Sequence, residues 1–229
     1  KAHPTEGTLC ILRQLLPRLR QLHPKARILV RLDGGFLAPS ILGFLDAQPR
    51  TDYVVGLPKN SVLVRKIEDL MIHAIAASHR QRETVTLFGE VDDYAAKSWR
   101  GTVRRVVAKA EVVVLDDREP RPNPRFVVTN LRQTPKHVYG IYCDRGEVEN
   151  RIKELKHGLA IDRTSCHRFT ANQLRLLLTT AAYALMQDLR RRVARRTGRN
   201  PQVSSLRLML LKIGARIERS VRRIVMHFA

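Results

Sequence analysis

Four polar residues recur at helical spacing within residues 142–156, YCDRGEVENRIKELK: Tyr142, Arg145, Glu149 and Lys156. At about 100° per residue, Tyr142, Glu149 and Lys156 fall within about 40° of one another, and Arg145 about 60° from Tyr142. One helix would then present a phenol, a guanidinium, a carboxylate and an ammonium along one stripe. A carboxylate can hold a hard divalent cation. Arg and Lys beside it can hold the phosphates that such a cation activates. The same residues also read as an exposed amphipathic helix, because Glu149 with Lys153 and Glu147 with Arg151 are ordinary i,i+4 partners.

A second carboxylate stands where a different element ends. Residues 26–32, ARILVRL, are short and rich in branched apolar side chains and read as a strand. Asp33 follows it, and Gly34 and Gly35 let the backbone turn sharply. A helix over residues 36–47 and a strand over residues 52–57 complete a βαβ unit with parallel pairing. A carboxylate at the carboxyl end of such a strand lies where open α/β sheets keep their sites. As a plain turn residue, Asp33 would instead cap the next helix.

The order Tyr142, Arg145, Glu149, Lys156 resembles the Y-R-E-K signature of bacterial insertion-sequence transposases of the DDE type. RLDGGF, with Asp33, looks like that family's second catalytic aspartate. NPRFVVTNL before the signature, and NQLRLLLTTAAYAL and LRLMLLKIGA after it, are similar to the same branch, so the likeness runs over essentially the whole chain. It implies an α/β fold with a ribonuclease H-like core, an antiparallel β insertion and C-terminal helices. It also implies metal-dependent DNA strand cleavage and strand transfer at transposon ends. Phosphodiester cleavage without a covalent intermediate can use two divalent ions about 3.5–4 Å apart. By the resemblance, Asp33 and Glu149 are the catalytic residues and ligands for Mg²⁺ (or Mn²⁺), while Tyr142, Arg145 and Lys156 contact DNA. Trp99, in KSWRGTVRR, would stack on a flipped base, as an insertion tryptophan does in related hairpin-forming enzymes. It could equally fill a small β core. The expected partners are double-stranded DNA, both terminal inverted repeats and target, and a second copy of the chain in a synaptic complex.

In that family the first aspartate lies on a core strand upstream of the second. Glu6 is the only acid before Asp33, and nothing around it is strand-like. The expectation is a catalytic-domain fragment without its first strands, itself inactive. The alternative is a non-catalytic, sequence-specific DNA-binding protein derived from a transposase. A ribosome- or RNA-associated basic protein is a third class, but it leaves the signature spacing unexplained.

Composition bounds these readings. The chain has 229 residues, 44% of them apolar, enough for a sizeable core. Its 42 Lys and Arg against 21 Asp and Glu give a net charge of +21, which calls for a polyanionic partner. No run reaches the roughly 18 uncharged apolar residues a membrane span needs. The first residues carry no apolar core of a signal peptide. Cys10, Cys143 and Cys166 are odd in number and far apart, fitting reduced thiols in a cytoplasm better than a disulfide frame, and the resemblance implies a bacterial cytoplasm, near the nucleoid.

The remaining elements follow from periodicity. Residues 10–22 read as a helix kinked at Pro17, and residues 61–82 as another. TVTLFGEV, TVRRVVAKAEVVVL and RFVVTNL read as strands of the insertion, with residues 116–124, DDREPRPNP, as a turn. The signature helix is expected over residues 138–156, with Gly158 near its end. An apolar helix is expected over residues 170–192 with Thr170 as N-cap, its leucines on the sheet, and a basic amphipathic helix over residues 205–225. From residue 190 onward, 12 Lys and Arg stand against one acid, Glu218. The domains expected are residues 1–82, a partial core with Asp33; residues 83–131, the insertion; and residues 132–229, the rest of the core.

Overall fold

The apolar run before Asp33 forms strand β1, Ile28–Leu32, and lies parallel to β2, Thr51–Leu57, with Ile28 opposite Thr51 and Leu32 opposite Val55. This computed structural model describes residues 4–115, 118–212 and 214–228. The chain divides into two compact units, Lys1–Arg145 and Gly146–Ala229.

In the first unit, helix α1 is Pro4–Leu22, and the β1–β2 crossover is helix α2, Pro39–Asp46, with Pro39 in its first turn, where a missing N–H costs nothing. All seven residues of β2 are buried. A strand covered on both faces needs a continuous apolar run, and DYVVGL supplies one. Helices α3, Ser61–Lys66, and α4, Glu68–Gln81, replace the single helix expected over 61–82. Asn60 caps α3 by accepting the Leu63 N–H at 3.0 Å. The break falls at Ile67, whose side chain is buried in the core and whose N–H bonds back to Val64 O. Core packing interrupts a pattern that periodicity reads as continuous.

Strands β3, Val85–Val91, β4, Arg105–Leu115, β5, Arg118–Pro122, and β6, Arg125–Thr129, are antiparallel to their neighbours, as expected of the insertion. They extend the β1–β2 sheet, in the order β1-β2-β6-β4-β3, with β5 also on β4. The proline-rich stretch read as a turn contributes β5, an edge strand, where prolines are tolerated. Strand alternation sorts the core onto two faces. Tyr53, Val55, Val106, Ala108, Phe126 and Val128 meet α1 and α2 on one face, while Val54, Val107 and Val127 meet helix α5, Pro135–Cys143, on the other. Asn130 locks the end of β2, accepting the Tyr53 N–H at 2.8 Å and donating to Thr51 O at 3.0 Å.

In the second unit, α6, Gly146–Lys153, runs into a π-helical turn, Glu154–Gly158. Helix α7, Phe169–Thr197, begins one residue before Thr170, so Thr170 is not its N-cap. Leu174, Leu177, Leu178 and Leu185 on α7 are exposed. Helix α8, Val203–Leu210, stops well short of the expected 205–225 helix. Beyond it, Ala215–Arg219 (β7) and Ile224–Phe228 (β8) pair as an antiparallel hairpin, with branched Ile217 on one strand and Ile224 and Val225 on the other. The left-handed residue after the π turn is Ala160 (φ 50°), not Gly158, which is buried against Val203. Among the described residues no helix is long and apolar enough to cross a membrane.

Candidate active site

Asp33 leaves the sheet at the carboxyl end of β1 and starts a short 3-10 turn, Gly34–Phe36. Its Oδ1 accepts the Gly35 N–H at 2.8 Å, so the capping role open to it from sequence is filled by one oxygen. Its Oδ2 lies 3.7 Å from Arg145 Nη1. Arg145 in turn stands over the Tyr142 ring, with its guanidinium carbon 5.8 Å from the ring centroid. The first unit therefore gathers Asp33, Tyr142 and Arg145.

Two further residues make this approach possible. Arg31, two residues before Asp33 and so on the same side of an extended chain, donates to Ile141 O at 3.2 Å and lies 3.5 Å from Asp144 Oδ2. A cation on the last carbonyls of α5 suits the negative end of a helix and pins that end to β1. Gly56 supplies the space. A Cβ built there would lie 2.7 Å from Tyr142 Oη and 2.8 Å from Gly34 N. A glycine inside a strand often marks such a close approach, and that was the one signal in the sequence for it.

The signature is not one helix. Helix α5 ends at Cys143, Asp144 and Arg145 form a turn, and α6 starts at Gly146. The common stripe derived for residues 142–156 required unbroken helical winding, so that angular argument fails. Tyr142 and Arg145 belong to the first unit; Glu149 and Lys156 belong to the second. Glu149 is exposed in the first turn of α6, and Lys156 is exposed on the π turn.

Glu154, unremarked in the sequence, is the most heavily bonded carboxylate of the second unit. It is buried on the π turn, with Oε1 2.7 Å from Arg190 Nη2 and Oε2 accepting from Arg151 at 2.9 Å and from Tyr183 Oη at 2.8 Å. Burial, with this carboxylate beside it, raises the Tyr183 phenol above its ordinary value. Arg190, which opens the basic run, is thus buried and paired rather than displayed.

Trp99 needs a correction. It is buried, edge-on to Tyr94 at a centroid distance of 5.5 Å, with the Arg104 guanidinium 5.2 Å above its ring. Arg104 is itself held by Asp46 at 2.7 Å. Trp99 fills the core, and a base has no open face of it to stack on.

For a divalent metal, Asp33 offers hard oxygen in a half-exposed carboxylate held by a backbone amide, and it fits that donor chemistry. Among the described residues, no group of three or more His, Cys, Asp or Glu is placed to hold a metal ion. The cysteines Cys10, Cys143 and Cys166 are free thiols.

No curated protein and no solved structure matches the chain. The family described as Transposase DDE domain group 1 matches residues 1–229. The mixed sheet and its helices are consistent with the ribonuclease H-like fold of DDE enzymes. A family match over the full length, with an aspartate at a strand's carboxyl end, identifies the chain as a member of the DDE transposase family.

Proposed function

We propose that the chain serves DNA strand cleavage and strand transfer at transposon ends, with Asp33 and Glu149 as ligands for Mg²⁺ (or Mn²⁺). The observation that carries this reading is the cluster of Asp33, Arg145 and Tyr142 at the carboxyl ends of β1 and β2. Bound metal would supply activation of the attacking oxygen and stabilisation of the leaving one. The chain's own residues do the rest. Asp33 presents Oδ2 to the site while the Gly35 amide holds Oδ1. Arg145, 3.7 Å away, pairs with that carboxylate and moves onto a phosphate when one arrives. Tyr142 donates a hydrogen bond to a phosphate oxygen, and Lys156 offers the DNA backbone a point charge.

The second reading is DNA binding without cleavage, for which a net charge of +21 suffices. Manganese binding in the presence of end DNA, followed by electron paramagnetic resonance, separates the two. Asp33→Asn should weaken Mn²⁺ binding by about 10-fold or more with DNA affinity kept within about twofold. Unchanged Mn²⁺ affinity would remove Asp33 from the site and leave the binding-only reading.

A further inference from the structure

Two adjoining cavities of the first unit, each about 360 Å³, share Lys59 and Asn123. The first opens beside Gly34 and Gly56 and is walled by Phe126, Tyr139 and Tyr142. The second continues past Asn123 to Val113, Leu115 and Arg121 on β4 and β5. Each volume is at the lower end of the range for small-ligand sites. Together they form a groove that starts one residue from Asp33 and runs toward the β4–β5 edge.

The chemistry of the groove is uneven along its length. Arg125, Lys59 and Arg121 provide three cations, against one acid, Glu119. Lys59, Arg121 and Arg125 are exposed, so they sit on the rim. At the Asp33 end Phe126 and Tyr139 are buried, and the half-buried Tyr142, its ring centroid 5.8 Å from that of Tyr139, is the aromatic side chain that reaches the groove. Burial pushes the Tyr139 phenol up to about 12, so it stays neutral at physiological pH. Asn123 is held in place, its Nδ2 donating to Glu111 Oε2 at 2.7 Å and its N–H to Glu111 O at 2.7 Å. Cations tracking a groove, with an aromatic ring at one end, suit a single nucleic-acid strand, whose phosphates and base faces separate in that way.

We propose that this groove binds a short single strand of DNA, with Lys59, Arg121 and Arg125 on successive phosphates and the half-buried Tyr142 ring against a base. The inference rests on the DNA-processing reading above. It adds a path by which an unpaired strand reaches or leaves the Asp33 end of the sheet. None of the three cations belongs to the signature or to the basic run after residue 190.

The test compares the whole chain with the triple variant Lys59→Ala, Arg121→Ala, Arg125→Ala, using fluorescence anisotropy with a labelled oligothymidylate and, separately, a duplex. Single-strand affinity should fall about 10-fold or more, and its log–log salt slope should flatten by about 2, for roughly 0.7 per lost phosphate contact. Duplex affinity should stay within about twofold. An equal loss on both DNAs, or no loss on either, overturns the proposal. Photocrosslinking with an iodouracil-bearing single strand gives a readout independent of stability. Crosslinks at Tyr142 support the groove, and crosslinks confined to residues after 190 overturn it. Asp33→Asn leaves all three cations in place, so loss of manganese binding with intact single-strand binding would separate failure of the metal reading from failure of this one.

Discussion

Asp33 shows how a single side chain can satisfy two readings at once. One oxygen caps the turn after β1, as any aspartate before two glycines could, and the other faces Arg145. Capping does not compete with ligand chemistry, because a carboxylate has two oxygens and several lone pairs. Glu154 is a different case: both its oxygens are consumed inside the second unit. Removing one partner of a buried pair leaves the other charged and unpaired, which costs about 3–5 kcal/mol. Glu154→Ala is therefore expected to lower the unfolding free energy by about that much, measured by urea denaturation. Combining Glu154→Leu with Arg190→Met should restore most of it, since an apolar pair of similar volume avoids desolvating two charges. A loss under about 1 kcal/mol in the single variant would mean that solvent reaches the pair more freely than its burial indicates.

Among the elements, α5 is the one on which the site depends. Val138 and Tyr139 bury it against Val54, Val107 and Val127, Arg31 holds its carboxyl end, and Tyr142 closes over Gly56. Its seating has a pH signature. Tyr139 has its phenol raised to about 12, chiefly by burial, while the unfolded chain ionises near 10. Between about pH 10 and 12 the unfolded state loses that proton and the folded state keeps it. The stabilisation is fully present below pH 10 and is lost as pH rises through the folded value. Tyr139→Phe should flatten the fall in stability over that window, as read from thermal melting at a series of alkaline pH values. A parallel fall in both proteins would place the alkaline transition elsewhere, with Tyr53 the next group to examine, since burial and Asp46 also raise it.

For the whole molecule, a charge of +21 on 229 residues sets the response to salt. Cations that neutralise phosphates release condensed counterions, so duplex affinity should fall steeply with ionic strength, by about 0.9 in log–log slope for each contact. Lys156, exposed on the π turn, is expected to account for about one of these, and Lys156→Ala should flatten the slope by about 1. An unchanged slope in a titration from low to physiological salt would assign Lys156 to packing. Arg190 is expected to contribute nothing to the slope, because it is already neutralised by Glu154.

Residue type and spacing alone determined a good deal. The strand before Asp33, the βαβ crossover and the antiparallel strands after residue 84 were legible because a buried strand and a half-buried one leave patterns of period one and two. The order of Tyr142, Arg145, Glu149 and Lys156 pointed to the DDE transposase family, to which the family match over residues 1–229 assigns the chain. Only the tertiary structure decided the rest. It broke helices at Ile67 and after Cys143, buried Trp99 beneath Arg104, and turned residues 215–228 into a hairpin. It also paired Glu154 with Arg190 across 36 positions of sequence. Periodicity reports which side of an element is apolar; it carries no information about what distant residue will meet that side. Breaks, buried charges and a glycine kept for a neighbour's hydroxyl all arise from such meetings, and they become visible only when the chain has folded.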